Sequence, residues 1–463
     1  MQFKIQLTII NPENGKENTK EIISLNKQSD RLEDIGLSLA ESKSILKALQ
    51  EKITEYQCDD FVESNRACGA CDKIYRKKGN YPIVLRTLFG DLSISSPRFY
   101  TCGCKEREHK TFSPLTGLLT EHTSPERLYL ETKWSSILPF GKTVDLLKDV
   151  LPVSGTINKA SVRNHLIKVA EREEAELGKE QFMFIEGCQR ERDQLPRPEG
   201  TIVVGLDGGY LRSWKNKNVH FEVIAGKSLP TDRSDKFFAF VETYGPAKPK
   251  PGLFETLKSQ GMQFNQSLEF LSDGATNLQE LQKYLSPLSG HYLDWFHITM
   301  KITVLKQYLK GMVKTDEENG EQFQEYLEKI KWYLWHGNTY KALTYLERFD
   351  DEVHLTENGY EHLGGFKKHV ADFAAYIRNN EPLIINYGER CRNGEIYTSS
   401  FAESTINEVV ARRFCKKQQM QWTKKGAHSM LSARTKVLNG ELGDCFKKWY
   451  PNIKIEKNYN EAA

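Results

Sequence analysis

The sequence predicts an α/β protein in which a mixed sheet is interrupted by a large all-helical segment. Short apolar runs rich in β-branched and aromatic residues alternate with helical patterns between residues 201 and 296. Helical periodicity alone then occupies residues 312–395. A third observation is a cluster of four cysteines in the first quarter of the chain, which predicts a small cysteine-based domain ahead of the sheet.

The bulk composition excludes several classes of protein. The chain has 463 residues, of which 39% are apolar and 27% charged, as in ordinary soluble proteins. No run approaches the roughly 20 apolar residues of a transmembrane helix. The N-terminus has neither the apolar core nor the cleavage site of a signal peptide. We therefore expect a cytoplasmic protein with no membrane partner.

The N-terminal segment, residues 1–57, predicts an opening strand and then one or two amphipathic helices within residues 30–57. Residues 58–124 contain five cysteines, and four of them form two pairs, CGAC and CGC. The chain has nine cysteines, an odd number, and a cytosolic context disfavours disulfides. The residues between the pairs alternate apolar and polar side chains around a Phe-Gly-Asp turn, which predicts a β-hairpin.

This arrangement predicts a zinc ribbon. Glycine in each pair allows a tight turn that directs two thiolates toward one ion, and four thiolates supply the tetrahedral shell of structural zinc. The expected ligands are Cys68, Cys71, Cys102 and Cys104. Because CxC is less common than CxxC in such sites, Cys58 or His109 stays open as an alternative ligand, and unmetallated cysteines are the alternative state.

Residues 125–185 predict a helical, helix-turn-helix-like region that binds DNA. A helix over 141–152 ends at a proline, and a second helix is expected to begin with a cap at Ser161. The second helix would present side chains that read bases and phosphates: Lys159, Arg163, Asn164 and Lys168. Two helices joined by a turn are common, so plain packing helices are the alternative.

After a charged, proline-bearing linker at 186–200, residues 200–311 predict three strands and then helix, strand, helix, strand and helix. The strands are expected at 201–207, 219–229, 236–245, 267–273 and 291–296. The helices between the strands are expected at 253–261 and 275–285. Three antiparallel strands followed by alternating helices and strands give an α/β layered sheet. This is the order of the ribonuclease H-like fold.

Three acidic residues fall where this order can bring carboxylates together. Asp207 closes the first apolar run, Asp273 closes the fourth strand, and Glu403 opens a basic stretch with helical spacing. Such carboxylates can converge on magnesium or manganese, as in two-metal sites that cut and join phosphodiesters. For each aspartate taken alone, a cap or turn role is the usual alternative.

The 130 positions between Asp273 and Glu403 exceed what one strand and one helix need. Residues 312–395 are therefore predicted to be an inserted all-helical domain, whose many aromatic residues form a bundle core. Asp294 and His297 stand at the end of the fifth predicted strand, at the junction before the insertion, in LDWFHI. They are interpreted either as a pair that orients a scissile phosphate or a metal ligand, or as a helix cap with a partly buried histidine.

The last segment, residues 396–463, is predicted to complete the catalytic core and to form a basic tail. Residues 401–463 contain twelve Lys or Arg against six Asp or Glu, although the whole chain has a net charge of only +3. A basic surface beside acidic catalytic residues suits a phosphate backbone, and we expect Arg412, Lys424 and Lys425 to contact it. A solvated surface helix is the alternative.

Several of these segments resemble a known family. LDGGY, LSDGA, LDWFHI and the tail SFAESTINEVVARRFCKKQQMQWTKKGAHSMLSARTKVLNG are similar to DDE transposases of bacterial insertion sequences, most of all to the ISKra group. The resemblance is strong over 200–440 and weaker before it. It implies a catalytic triad of Asp207, Asp273 and Glu403. It also implies an auxiliary catalytic pair, Asp294 and His297, and DNA-lining residues that include Trp422, Lys424 and Lys425.

The sequence thus predicts a DNA transposase that cuts and joins insertion-sequence ends by two-metal chemistry. Its partners would be the terminal repeats and target DNA, and it would act as a homo-oligomer because transposition joins two ends. The first alternative is a catalytically inactive, transposase-derived DNA-binding regulator, which the intact triad disfavours. The second is a nuclease with no joining step, which the ribbon and the insertion disfavour.

Overall fold

The computed structural model divides the chain into two compact units. The first comprises Met1–Val169 and Glu441–Ala463, and the second comprises Ala170–Gly440. The described residues are 1–10, 15, 17–28, 31–104, 110–153, 155–177, 190, 194–196, 198, 200–216, 218–245, 247–414 and 421–455, apart from the side chains of Ser400, Ala402 and Glu403. The six predicted segments thus fall into two units. Residues 441–463, the end of the last predicted segment, belong with the N-terminal residues, whereas residues 396–440 belong with the sheet.

The first unit begins with a two-stranded sheet and one long helix. Strands β1 (Gln2–Ile10) and β2 (Glu17–Asn26) pair antiparallel, which confirms the predicted opening strand. Helix α1 (Leu39–Ser64) begins after Ser38, whose hydroxyl accepts the N–H of Glu41, while the Glu41 carboxylate accepts the N–H of Ser38. This reciprocal pairing satisfies two free backbone donors and fixes where the predicted helical region starts.

The predicted hairpin between the cysteine pairs is confirmed. Strands β3 (Lys77–Thr87) and β4 (Gly90–Tyr100) pair antiparallel along their whole length and are joined by a two-residue turn. Gly90 follows that turn with a φ of +124°, a conformation that L side chains rarely adopt. Strand β5 (Thr111–Phe112) adds a third strand, and a short helix, α2 (Leu115–Leu118), comes directly after it.

The region for which the sequence predicts a helix-turn-helix contains three helices: α3 (Pro125–Ile137), α4 (Phe140–Val150) and α5 (Lys159–Glu176). The predicted cap at Ser161 is wrong. The Asn158 side-chain oxygen accepts the N–H of Ser161 at 3.0 Å, so the helix begins earlier than its serine. Asparagine caps as well as serine does, and it stands in front of the first free N–H groups. The helices share a small apolar core: Val144, Leu147, Ile157 and Val162.

The second unit is built on a six-stranded mixed sheet, in which five strands follow one another in space: β6 (Thr201–Ser213), β7 (His220–Leu229), β8 (Lys236–Phe240), β9 (Ser267–Ser272) and β10 (Gly290–Leu293). The spatial order is β10-β9-β6-β7-β8. The pairs β6–β7 and β7–β8 are antiparallel, whereas β9 runs parallel to β6 and to β10. The predicted α/β class and the predicted succession of strands and helices are therefore confirmed.

Two helices cover the sheet between its strands. They are α6 (Pro249–Ser259) and α7 (Thr276–Leu285), and their leucines share a core with β6 and β9. The core includes Leu253, Leu257, Leu278, Leu281, Val204, Leu206 and Phe270. Burial of this apolar surface holds the two central parallel strands in register, so the residues at their ends have defined positions.

Residues 312–395 are helical, as predicted, and contain α9 (Glu317–Trp335), α10 (Thr339–Leu355), α11 (Leu363–Asn379) and α12 (Tyr387–Arg392). The helix predicted after the fifth strand, α8 (Trp295–Met312), precedes them. One apolar core joins them. Its aromatic contacts include Phe323 with Phe349 and Phe366, and Trp295 with Trp335 and Tyr387. The aromatic residues thus form a bundle core, as expected.

The remaining elements complete both units. Helix α13 (Ser400–Thr405) continues as a π-helix (Ile406–Ala411) and a final turn (Arg412–Phe414). Strand β11 (Gln421–Trp422) pairs with β6 and is followed by α14 (Lys424–Leu438) and, in the first unit, by α15 (Leu442–Trp449). None of the helices within the described ranges is both long and apolar enough to cross a membrane.

Candidate active site

Asp207 lies within β6, the central strand of the sheet, after a run of buried residues. Its side chain is only 14% exposed. The Oδ1 atom accepts the N–H of Gly208 at 2.7 Å, which orients the carboxylate. The aspartate that the sequence singled out is therefore held at the edge of the apolar core and has limited contact with water.

Asp273 directly follows β9, the parallel neighbour of β6. Its Oδ1 atom accepts the N–H of Ala275 at 3.0 Å, as in a tight turn. The intervening Gly274 has a φ of +88°, and a Cβ atom there would lie 2.1 Å from Oδ1 of Asn380. Only glycine fits this turn, so the backbone that carries Asp273 has a single conformation.

Asp294 caps α8, and His297 lies in the first turn of that helix. The Asp294 Oδ1 atom accepts the N–H of Phe296 at 3.0 Å, and its side chain is fully buried. His297 Nε2 lies 3.7 Å from Asp294 Oδ2 and 3.9 Å from Asp207 Oδ1. The imidazole thus stands between the two carboxylates. The interpretation of a helix cap with a partly buried histidine is confirmed, and the role of an auxiliary pair stays a prediction.

The site accumulates negative charge. Burial raises the pKa of Asp207, and the charges of Asp273 and Asp294 raise it further, while His297 and the Gly208 N–H lower it. Burial penalises the ionised carboxylate, and like charges add to that penalty. The arrangement therefore favours a positively charged group near Asp207.

The helix that carries Glu403 approaches the same region. Helix α13 packs against β6 and β7. A Cβ atom at Gly209, two residues beyond Asp207, would lie 3.7 Å from Ile406, which opens the π-helical segment. The backbone of Glu403 is thus near β6, while its side chain lies outside the described part of the chain. π-Helical turns are rare and often occur at functional sites.

Two tyrosines of the insertion support this region and were missed by sequence reasoning. The Tyr376 hydroxyl donates to the carbonyl oxygen of Asp273 at 3.0 Å. The Tyr387 hydroxyl donates to the carbonyl oxygen of Leu293, next to Asp294, at 2.9 Å. Burial raises the pKa of both hydroxyls, so they remain donors. A tyrosine in an aromatic-rich helix gives no sequence signal for such a distant partner.

A further carboxylate, Glu222 on β7, was also missed. Burial raises its pKa, and the charges of Glu242 and Asp273 raise it further. A Cβ atom at Gly208 would lie 2.8 Å from the Glu222 carboxylate, so this glycine leaves room for it beside β6. An acidic residue in a strand pattern carries no signal for such a location.

In the first unit, the four predicted cysteines come together. Their sulfur atoms all lie within 4.8 Å of one another, and within the described ranges no other set of three or more potential metal ligands is this close. Hydrogen bonds, first from Tyr75 and then from the Ala70 backbone, lower the pKa of Cys68 to about 5. The neighbouring thiols raise the pKa of Cys104 to about 12. The four thiols could hold a metal ion such as zinc.

Of the two alternative zinc ligands, Cys58 and His109, the structure describes only Cys58. Cys58 is buried in α1 and packs against Leu92, Ile94 and Leu115, away from the four clustered thiols. It is therefore a core residue. His109 lies outside the described residues.

The predicted DNA-contacting residues are mostly exposed. Arg163 and Lys168 project from α5, and Lys168 pairs with Glu121 at 2.7 Å. In the second unit, Arg412 is 72% exposed and pairs with Glu408. Lys424 donates to the Thr243 carbonyl oxygen at 3.3 Å, and Lys425 pairs with Glu171 at 2.5 Å. These are surface ion pairs and contacts of the kind that contribute little to stability.

Trp422 is the exception. Its side chain is buried, with 7% exposure, and its ring lies 4.6 Å from that of Phe414. Strand β11 holds it against β6 by backbone pairing with Ser213. A ring in this position packs the core and is not presented to a ligand, so the expectation that Trp422 lines bound DNA is corrected to a packing role.

Comparison with known proteins adds no family to this description. No protein-family model matches the chain, and no match was found among curated proteins. The argument for function therefore rests on the fold and on the geometry of the site.

Replacing Asp207 by Asn should raise the melting temperature of the metal-free protein at neutral pH. The amide keeps an acceptor for the Gly208 N–H but removes a buried charge. A carboxyl group with a raised folded-state pKa destabilises the fold increasingly as pH rises from about 3.9, its ordinary value, to the raised one. The gain should therefore disappear in acid. Thermal unfolding in buffer without magnesium or manganese, across this range, measures it.

The exposed Asp232 provides a matched control, since Asp232→Asn should leave the melting temperature unchanged. An Asp207→Asn protein that melts at or below the wild-type temperature at neutral pH would show that the site does not penalise the charge.

Proposed function

We propose that the second unit is a ribonuclease H-like catalytic core and that the protein is a DDE transposase. The observation that carries the proposal is the placement of Asp207 and Asp273. Asp207 lies on β6 and Asp273 directly follows β9, its parallel neighbour, in a sheet of order β10-β9-β6-β7-β8, and the charge of Asp273 adds to the effect of burial in raising the pKa of Asp207. The helix that bears Glu403 packs against the same central strand.

The donor set suits magnesium or manganese. Carboxylate oxygens are the ligands that these hard cations prefer, and a buried cluster of like charges is stabilised by a cation. Asp207, Asp273 and Glu403 would hold the ions. When bound, the ions would activate water or a 3′-hydroxyl and stabilise the leaving oxygen in an in-line displacement. The protein itself would then supply no nucleophile.

The chain's own residues would shape the reaction. The backbone hydrogen bonds of Asp207 and Asp273 fix both carboxylates before substrate arrives. His297 is 27% exposed and stands 3.9 Å from Asp207, so its Nε2 can donate a hydrogen bond to a scissile phosphate. Tyr376 anchors the turn of Asp273 from the insertion. Such fixed donors act without reorganisation during the reaction.

The first unit would bind DNA. We propose that Cys68, Cys71, Cys102 and Cys104 hold a structural zinc ion, since four thiols leave no open position for a reactive water. Helix α5 would present Arg163 and Lys168 to the terminal repeats. In the second unit, Arg412, Lys424 and Lys425 would contact phosphates of the repeats or of target DNA. Joining two ends requires at least two active sites, so a homo-oligomer is expected.

Single substitutions of the triad should remove cleavage while leaving DNA binding intact. Asp273→Asn and Glu403→Gln keep size but remove one metal-binding charge each. Substituting a residue that only hydrogen-bonds to a metal ligand typically lowers activity roughly 10- to 100-fold. The expected loss of cleavage rate is larger, because these residues would bind the metal themselves. Strand cleavage of terminal-repeat DNA in magnesium, with binding followed separately, measures it.

The exposed Asp232 again serves as control, and Asp232→Asn should cleave normally. Near-normal cleavage by either triad variant would remove that residue from the site. A wild-type protein that binds the repeats but never cleaves them would instead favour the inactive regulator.

The purified protein should contain one zinc ion per chain. Replacing Cys71 by Ser should remove it and unfold the first unit, because structural zinc contributes about 10–16 kcal/mol of apparent binding free energy in zinc-finger peptides. Metal analysis and the helical signal after chelation measure both effects. Cys391, an exposed thiol of the second unit, is the control, and Cys391→Ser should retain the zinc. A zinc-free wild-type protein that is fully folded would contradict the assignment.

A further inference from the structure

The Asp294 carboxylate has partners far along the chain. Its Oδ1 atom accepts the backbone N–H of Ser399 at 2.7 Å, and its Oδ2 atom accepts the Ser399 hydroxyl. These residues are 105 positions apart, and the whole helical insertion lies between them. Both are buried: Asp294 is fully buried and Ser399 is 1% exposed. Ser399 immediately precedes helix α13, which carries Glu403.

A cap alone does not account for these bonds. Capping α8 uses a single bond, from the Phe296 N–H to Oδ1. The two Ser399 bonds occupy both oxygens and supply most of what a buried carboxylate needs, since an unsatisfied buried charge is costly. Hydrogen bonds to an ionised acceptor are also about twice as strong as neutral ones. The contact therefore joins the end of β10 firmly to the beginning of α13.

We propose that Asp294 and Ser399 form a clamp that positions the helix carrying Glu403 beside the strand of Asp207. The clamp fixes the start of α13, and the π-helical segment that follows packs over Gly209 of β6, so the helix is held on both sides of its first turn. Asp294 is then a positioning residue, and the expectation that it acts as a catalytic residue is revised. This inference rests on the proposed metal site and adds Ser399, which no sequence pattern marks.

The clamp itself is tested by amide hydrogen exchange of the full-length, metal-free protein without DNA. Ser399→Ala removes the hydroxyl donor and keeps the backbone N–H. The Ser399 amide, which donates to Asp294, and the α13 amides beyond its first turn should exchange roughly 10- to 100-fold faster, the range that follows from losing a hydrogen bond to a charged group. Ser404→Ala is the matched control, because the exposed Ser404 bonds only back to Phe401 of its own helix. Unchanged exchange in Ser399→Ala would overturn the proposal.

Action through Glu403 is tested by a double-mutant cycle on manganese binding, followed by electron paramagnetic resonance of free Mn²⁺. Ser399→Ala should weaken binding roughly 10- to 100-fold, as is typical for partners of metal ligands. In a Glu403→Gln background, the same substitution should add no further loss, since the group that it positions is already removed. Additive losses would overturn the positioning role.

The two proposals fail in different ways. A wild-type protein that binds Mn²⁺ and shows the expected cycle, yet never cleaves DNA, would support the clamp and refute the transposase. A wild-type protein that binds no Mn²⁺ would overturn the positioning role together with the metal site. Asp294→Ala, which removes both acceptors of the Ser399 hydrogen bonds, should reproduce the faster exchange of α13, and unchanged exchange in that variant would also overturn the clamp.

Discussion

Repulsion among buried carboxylates is the constraint on which the second unit depends. Asp207, Asp273 and Asp294 stand close enough for their charges to raise the pKa of Asp207 beyond the effect of burial. A fold tolerates such a cluster only where each carboxylate has compensating donors. Asp207 has the Gly208 N–H and His297, Asp273 has the Ala275 N–H, and Asp294 has Phe296 and Ser399. The proposed cation would offset the charge that remains uncompensated.

The helical insertion supplies part of this support. Its tyrosines donate to backbone oxygens at the ends of both parallel strands, Tyr376 at Asp273 and Tyr387 beside Asp294. Asn380 fills the space that Gly274 leaves open. The aromatic core behind these residues gives them fixed positions. The insertion separates Asp273 from Glu403 along the chain. It also determines the geometry of the strand ends between which the reaction would occur.

Much of this architecture could be predicted from the sequence. The apolar runs that end in Asp207 and Asp273, the paired cysteines and the periodic helices are local patterns, and local patterns survive without tertiary information. Contacts between residues that are distant in sequence cannot be predicted from such local patterns. Nothing near Ser399 or Tyr376 indicates its partner, and Trp422 looks like a DNA-contacting residue until β11 places it in the core. The cap at Asn158 was missed because Ser161, a residue of equal capping ability, stands three positions later.

The central claim is that Asp207, Asp273 and Glu403 converge on divalent metal, and crystals soaked in manganese test it most directly. Anomalous scattering locates the ions independently of any activity. The account predicts manganese bound by Asp207 and Asp273, with the Glu403 carboxylate completing the shell at oxygen distances of about 2.1 Å, as for magnesium. Manganese bound elsewhere, or a Glu403 side chain directed away from Asp207 in the soaked crystal, would contradict it.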